Sequence, residues 1–64
     1  MNLIFLHDLN GDLIAVNPEY IVRVEVAVIE GAHVTAIYFQ GTRICVTDKF
    51  DDVISTLHAW RKKV

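Results

Sequence analysis

A single cysteine and a single proline occur in this 64-residue sequence, and glycine occurs only three times. With Cys45 alone, no disulfide can close within the chain, and no cluster of cysteine and histidine offers a zinc site to support a small core. Cys45 stands between Ile44 and Val46, where a thiol behaves as a small apolar side chain in a reducing compartment. Long apolar runs are also missing. Residues 3–6 are apolar, but His7 and Asp8 stop the run far short of the roughly 18 residues that cross a bilayer. That stretch has no basic lead and no small-residue cleavage site, so it reads as a strand and not as a signal peptide. The chain is therefore expected in the cytoplasm, without membrane insertion. Positive charge is scarce too: six Lys and Arg face eight Asp and Glu, which is not the electrostatic footprint of a nucleic-acid binder. The one basic cluster, Arg61, Lys62 and Lys63, falls where cations complement the end of a helix.

What the sequence has in quantity is apolar side chain, 53% of residues. A chain this short buries only about 60% of its unfolded surface, so part of that apolar content is expected to lie between chains. There is room for one domain, residues 1–64, and turn signals recur every eight to twelve residues, the rhythm of a small β-meander. Asn10-Gly11 predicts a type I′ turn between strands at 3–8 and 12–17. Asn17-Pro18 ends that pair. Residues 21–28 alternate cleanly, with Val22, Val24, Val26 and Val28 on one face. A turn at Ile29-Glu30-Gly31-Ala32 brings Thr35, Ile37 and Phe39 against them. Gln40-Gly41 then returns the chain so that Ile37 meets Ile44 and Thr35 meets Val46.

After residue 47 the period changes from two to three or four. Phe50, Val53, Ile54, Leu57 and the stem of Arg61 form one helical stripe, with Asp48 as N-cap and Asp51 and Asp52 in the first turn. The expected architecture is thus mostly β with one α: a five-stranded antiparallel meander, curled or closed into a small barrel, followed by a C-terminal amphipathic helix.

If the helix covers one face of the sheet, the other is left open. The pattern assigns to it Ile4, Leu6, Leu13, Ala15, Ala27, Val34, Ala36, Tyr38 and Cys45, with Arg23, Glu25 and Arg43 among them. An apolar face of this extent marks an interaction surface. Leu6, Leu13, Ala15, Arg23, Val34, Ala36, Tyr38 and Arg43 are therefore the candidate interface or ligand residues. Trp60, near the helix end, joins them as an aromatic anchor or a shield for the sheet edge.

Catalysis needs a nucleophile with its base, a spaced pair of carboxylates, or a metal, converging in a pocket. No such set is present, so no catalytic residue, metal or cofactor is expected. His7, His33 and His58 stand apart at no ligand spacing. Asp8 and Asp12 flank a hairpin turn, as acidic residues commonly do. Tyr38 and Arg43 are cross-strand neighbours suited to a cation–π pair.

The Leu9-Asn10-Gly11 turn, the run Ile14-Ala15-Val16-Asn17-Pro18, Ile21, the Gln40-Gly41 turn, Val46 and the helix start Phe50-Asp51-Asp52-Val53-Ile54 occur in an order with a known counterpart. In that order the chain resembles the FlbD/SwrD family of small flagellar and swarming-motility proteins. The resemblance implies a cytoplasmic, non-enzymatic accessory protein that acts by association. From the residues, the leading expectation is a homo-oligomeric module that binds a protein partner. The alternatives are a phage-type inhibitor, or a small-molecule (nucleotide) sponge with Tyr38, Arg43 and Arg23 in a pocket between subunits. An Sm-like RNA-binding barrel is disfavoured by the acidic balance.

Overall fold

The computed structural model describes residues 2–63. All five strands and the helix form, but the strands divide into two sheets and not one meander. β1 (Ile4–His7) and β2 (Leu13–Val16) make a hairpin. β3 (Ile21–Ile29), β4 (Ala32–Phe39) and β5 (Thr42–Val46) make an antiparallel sheet in that order, and α1 spans Phe50–Lys63. The division falls at Asn17-Pro18. The Asn17 side chain accepts a hydrogen bond from the Glu19 N–H at 3.0 Å, and Pro18 opens a single 3-10 turn through Tyr20. Proline cannot extend a ladder, and this turn swings the chain away, so β2 and β3 do not pair. A single sheet or closed barrel is thereby ruled out. The hairpin instead meets the far edge of the second sheet. Asp8 bridges to Val46, and the Thr47 N–H donates to the His7 carbonyl at 2.9 Å.

Within the three-stranded sheet the register is the expected one. Val24 lies opposite Ile37 and Val26 opposite Thr35, while Ile37 lies opposite Ile44 and Thr35 opposite Val46. Two-residue turns enforce it. Ile29 pairs with Ala32 around Glu30 (φ 49°) and Gly31 (φ 80°), and two successive positive φ angles are the signature of a type I′ turn. One difference comes from a bulge between Ile21 and Arg23. It brings Ile21 against the core and leaves Val22 68% exposed, reversing the inward placement that strict alternation predicts for Val22.

The first hairpin departs further. A type I′ turn at Asn10-Gly11 would place Leu6 opposite Ala15. The structure pairs Leu6 with Ile14 and Phe5 with Ala15. Only Gly11 has positive φ (85°) in this loop, and three residues, Leu9 to Gly11, separate the hydrogen-bonded pair Asp8 and Asp12. The Asp8 carboxylate accepts the N–H groups of both Asn10 and Asp12 at 2.9 Å. This is the three-residue hairpin in which an ordinary turn is followed by a left-handed glycine. One extra loop residue shifts the register by one, and a one-residue shift turns β2 over. Ile4, Leu6, Ile14 and Val16 therefore face inward, and Phe5, Leu13 and Ala15 face out.

The core is thus shared by three layers. Ile4, Leu6 and Val16 from the hairpin, Ile37 and Val46 from the sheet, and Val53 from the helix are buried together. Leu57 and Trp60 pack against them, whereas Ile54 is 41% exposed. The buried line of the helix runs through the expected Val53 and Leu57 and adds Trp60, while Phe50 is half-buried and Arg61 is exposed. Asp48 is not the helix cap: the Lys49 carbonyl accepts the first helical bond, from the Val53 N–H at 3.0 Å. The Asp48 carboxylate turns back to β1, accepting from the His7 N–H at 2.6 Å and lying 3.2 Å from His7 Nδ1. Its carbonyl accepts from the buried Thr35 hydroxyl at 2.7 Å.

Candidate functional site

Two surfaces inherit the candidate residues, and they differ in chemistry. The outer face of the three-stranded sheet carries a connected polar cluster. Register places Arg23 opposite Tyr38 and Tyr38 opposite Arg43. The Arg23 guanidinium lies over the phenol ring at 4.1 Å from its centroid, and that of Arg43 lies at 5.9 Å. The Tyr38 hydroxyl donates to Glu25 Oε1 at 2.7 Å and accepts from Arg43 Nη1 at 3.3 Å. Arg23 and Glu25 stand 3.6 Å apart. The hydrogen bond to Tyr38 is the largest cause that holds Arg43 above its ordinary pKa. Cross-strand neighbours of this kind form wherever a flat sheet face sets long side chains at pair positions.

Ala36 lies at the centre of this face. It stands between Glu25 and Cys45 in register, and its side chain is fully buried. Val34, two residues along, is half-buried. The face is therefore a charged and aromatic surface and not the apolar one that the alternation implied.

The apolar surface lies on the other sheet. On the outside of the N-terminal hairpin, Phe5 is 60% exposed and Leu13 63% exposed, and Ala15, also exposed, pairs with Phe5. Leu3, two residues before Phe5, extends the patch. It runs into an open groove of about 600 Å³ between β1 and the helix, lined by Leu3, Phe5, Thr56, Ala59 and Trp60 among others. The Trp60 indole N–H donates to the Asn2 carbonyl at 2.9 Å. That bond closes one end of the groove and orients the ring.

The nine sequence candidates thus separate. Arg23, Tyr38 and Arg43 come together on one face, with Glu25 as the fourth member, and Val34 lies half-buried on the same face. Leu13 and Ala15 lie on the hairpin's outer face, and Trp60 beside it. Leu6 points into the core, and Ala36 is buried beneath its own sheet face. Phe5 is the residue that sequence reasoning missed. The signal that would have found it is Asp8, a residue able to cap a three-residue loop and so set the opposite register.

Among the described residues, no three of His, Cys, Asp and Glu gather as metal ligands would, and no helix is long and apolar enough to cross a membrane. A family model for flagellar and swarming motility proteins, FlbD, matches residues 3–64. No curated protein and no solved structure matches the chain.

Proposed function

Since the chain belongs to the FlbD family of flagellar and swarming motility proteins, we propose that it is a non-catalytic accessory protein of cell motility. In this reading it acts in the cytoplasm by binding a protein partner, and the outer face of the N-terminal hairpin is the contact. The observation that carries the proposal is the exposure of Phe5 and Leu13 side by side on one short hairpin, next to the Trp60 groove. Exposed apolar side chains scattered singly are ordinary, but a contiguous patch with an aromatic at its centre is the usual core of a binding surface. At about 25 cal/mol per Å² of apolar area, covering Phe5 and Leu13 alone is worth several kcal/mol. The partner it fits is a protein with an apolar surface that also offers a polar group, because Leu13 lies opposite the exposed His7, whose Nδ1 stands 3.2 Å from the Asp48 carboxylate. The non-catalytic part of the proposal rests on the sequence, which holds no nucleophile, base or carboxylate pair in a spacing that chemistry requires.

The test replaces the native copy in its own host with a Phe5→Ser, Leu13→Ser variant. Swimming and swarming should fall to the level of a deletion, while the purified variant melts within about 0.5 kcal/mol of its parent. Ile54→Ser, a similar loss of exposed apolar surface on the helix, should leave motility intact. Full motility with the double substitution would overturn the assignment of this face.

A further inference from the structure

The long strand β3 has one open edge. It pairs with β4 alone, and among the described residues the one backbone hydrogen bond to it from another element is at its first residue, where the Ile21 N–H donates to the Pro18 carbonyl. In a hairpin closed by a two-residue turn, the closing pair, here Ile29 and Ala32, exchanges hydrogen bonds, and the pattern then alternates. Ile29, Ala27, Glu25 and Arg23 accordingly direct their backbone groups to β4. Val24, Val26 and Val28 direct theirs to the open edge. The same strand leaves Val26 52% and Val28 61% exposed. An edge of this length, with no proline or lysine along it, is a template for another strand.

We propose that this edge pairs with β3 of a second copy, antiparallel, with the two-fold axis passing through Val24. The charges select that register. Pairing about Val24 places Arg23 opposite the partner's Glu25 and Glu25 opposite the partner's Arg23. Pairing about Arg23 or Glu25 would instead set like charges against each other. Backbone geometry agrees. Val24 directs its N–H and carbonyl outward, so it forms a hydrogen-bonded pair with its own mate. The flanking Arg23–Glu25 positions are then non-hydrogen-bonded pairs, where side chains approach most closely.

A two-fold contact needs only one self-complementary strand, and this one is self-complementary in both charge and hydrogen bonding. The product is a continuous six-stranded sheet. On its outer face the two Arg23–Tyr38–Glu25–Arg43 clusters become neighbours. This interface is separate from the hairpin face proposed for the partner protein and stands without it.

Sedimentation of the full chain at micromolar concentration should give twice the 7.3 kDa mass of one copy. Arg23→Glu and Glu25→Arg, singly, each turn two attractions into repulsions and should weaken dimerisation about tenfold or more. The double exchange should restore it to within about threefold of the parent. Val26→Pro removes an outward N–H and spares the β3–β4 ladder. It should abolish the dimer while β4 amides keep their protection from hydrogen exchange. A parent chain that sediments as a monomer would overturn the proposal. So would single exchanges that leave the association constant unchanged, or a double exchange that fails to rescue it.

Discussion

The N-terminal hairpin and the three-stranded sheet use similar residues but are secured differently. β3, β4 and β5 are joined by ladders broken only at the bulge between Ile21 and Arg23, with two-residue turns closing both hairpins. β1 and β2 have only each other for a ladder, and they reach the larger sheet through the Asp8–Val46 bridge, the Thr47–His7 bond and the Asp48 carboxylate. A two-stranded hairpin alone is marginal in water. Its order is therefore borrowed from the buried contacts of Ile4, Leu6 and Val16 with Ile37, Val46 and Val53. The surface proposed to meet a partner thus sits on the part of the molecule with fewer anchors, which is where local opening is cheapest.

The sharpest way to break this comparison is Ile37→Ala. Ile37 is fully buried at the point where both sheets and the helix meet. Removing three carbons there should cost about 2–5 kcal/mol, most of what so small a domain has. Urea denaturation measures it, and a midpoint near that of the parent would show that the three layers do not share one core.

Asp48→Ala acts on the junction alone. It leaves the His7 N–H without its acceptor and should cost about 1–3 kcal/mol. Hydrogen exchange should show β1 and β2 amides opening before those of β4, and uniform loss of protection would contradict the tethered-hairpin view. Acid does the same reversibly. Burial pushes the Asp48 carboxyl up, but the hydrogen bonds from the His7 backbone and side chain outweigh it, and the net direction is down. A lowered folded pKa means that this contribution is complete above the unfolded carboxylate value of about 3.9 and is lost as pH falls through the folded value. Hairpin amides should accordingly lose protection in that acid range, and the Asp48→Ala protein should lack this step.

Smaller effects come from the turns. Gly11 has φ 85° with open space around the position of a Cβ, so only backbone strain opposes a side chain there. Gly11→Val should destabilise by about 1 kcal/mol or more, and Gly11→Asn by less, because asparagine tolerates the left-handed region. Glu30 already occupies that region with φ 49°. Glu30→Asn should raise stability by about 0.5 kcal/mol, the smallest of these effects, visible as a melting point a few degrees higher. A fall in melting point would mean that the Glu30 side chain contributes more than its backbone costs.

These positions also show how far the residues announce the fold. Turns of two residues leave no freedom in register, so the pairing of Val24, Ile37 and Ile44 could be read from Glu30-Gly31 and Gln40-Gly41. Asn10-Gly11 was ambiguous, because whether it closes a two- or a three-residue loop depends on a side chain outside the dipeptide, Asp8. That single ambiguity sets Ile4 and Leu6 on the same outer face as Leu13 and hides Phe5. Proline at position 18 marked the end of a strand pair correctly. It did not say that the next strand would leave the sheet, since that depends on where β1 finds its second neighbour, more than thirty residues later. The helix stripe was legible at Val53 and Leu57, but it also took in Ile54, which is as apolar as they are, and left out Trp60. Only the closeness of β1, and the Asn2 carbonyl just before it that accepts from Trp60, settles which line turns inward.

That indole is the only one in the chain, and it is fastened to the backbone of the first described residue, Asn2. It is a built-in optical reporter of the seam between the N-terminal segment and the helix. When the seam parts, the ring exchanges a carbonyl and an apolar wall for water, and its emission moves to longer wavelength. Ultraviolet light alone would then distinguish a partner that seats in the groove, shielding the ring further, from one that pries β1 off the helix.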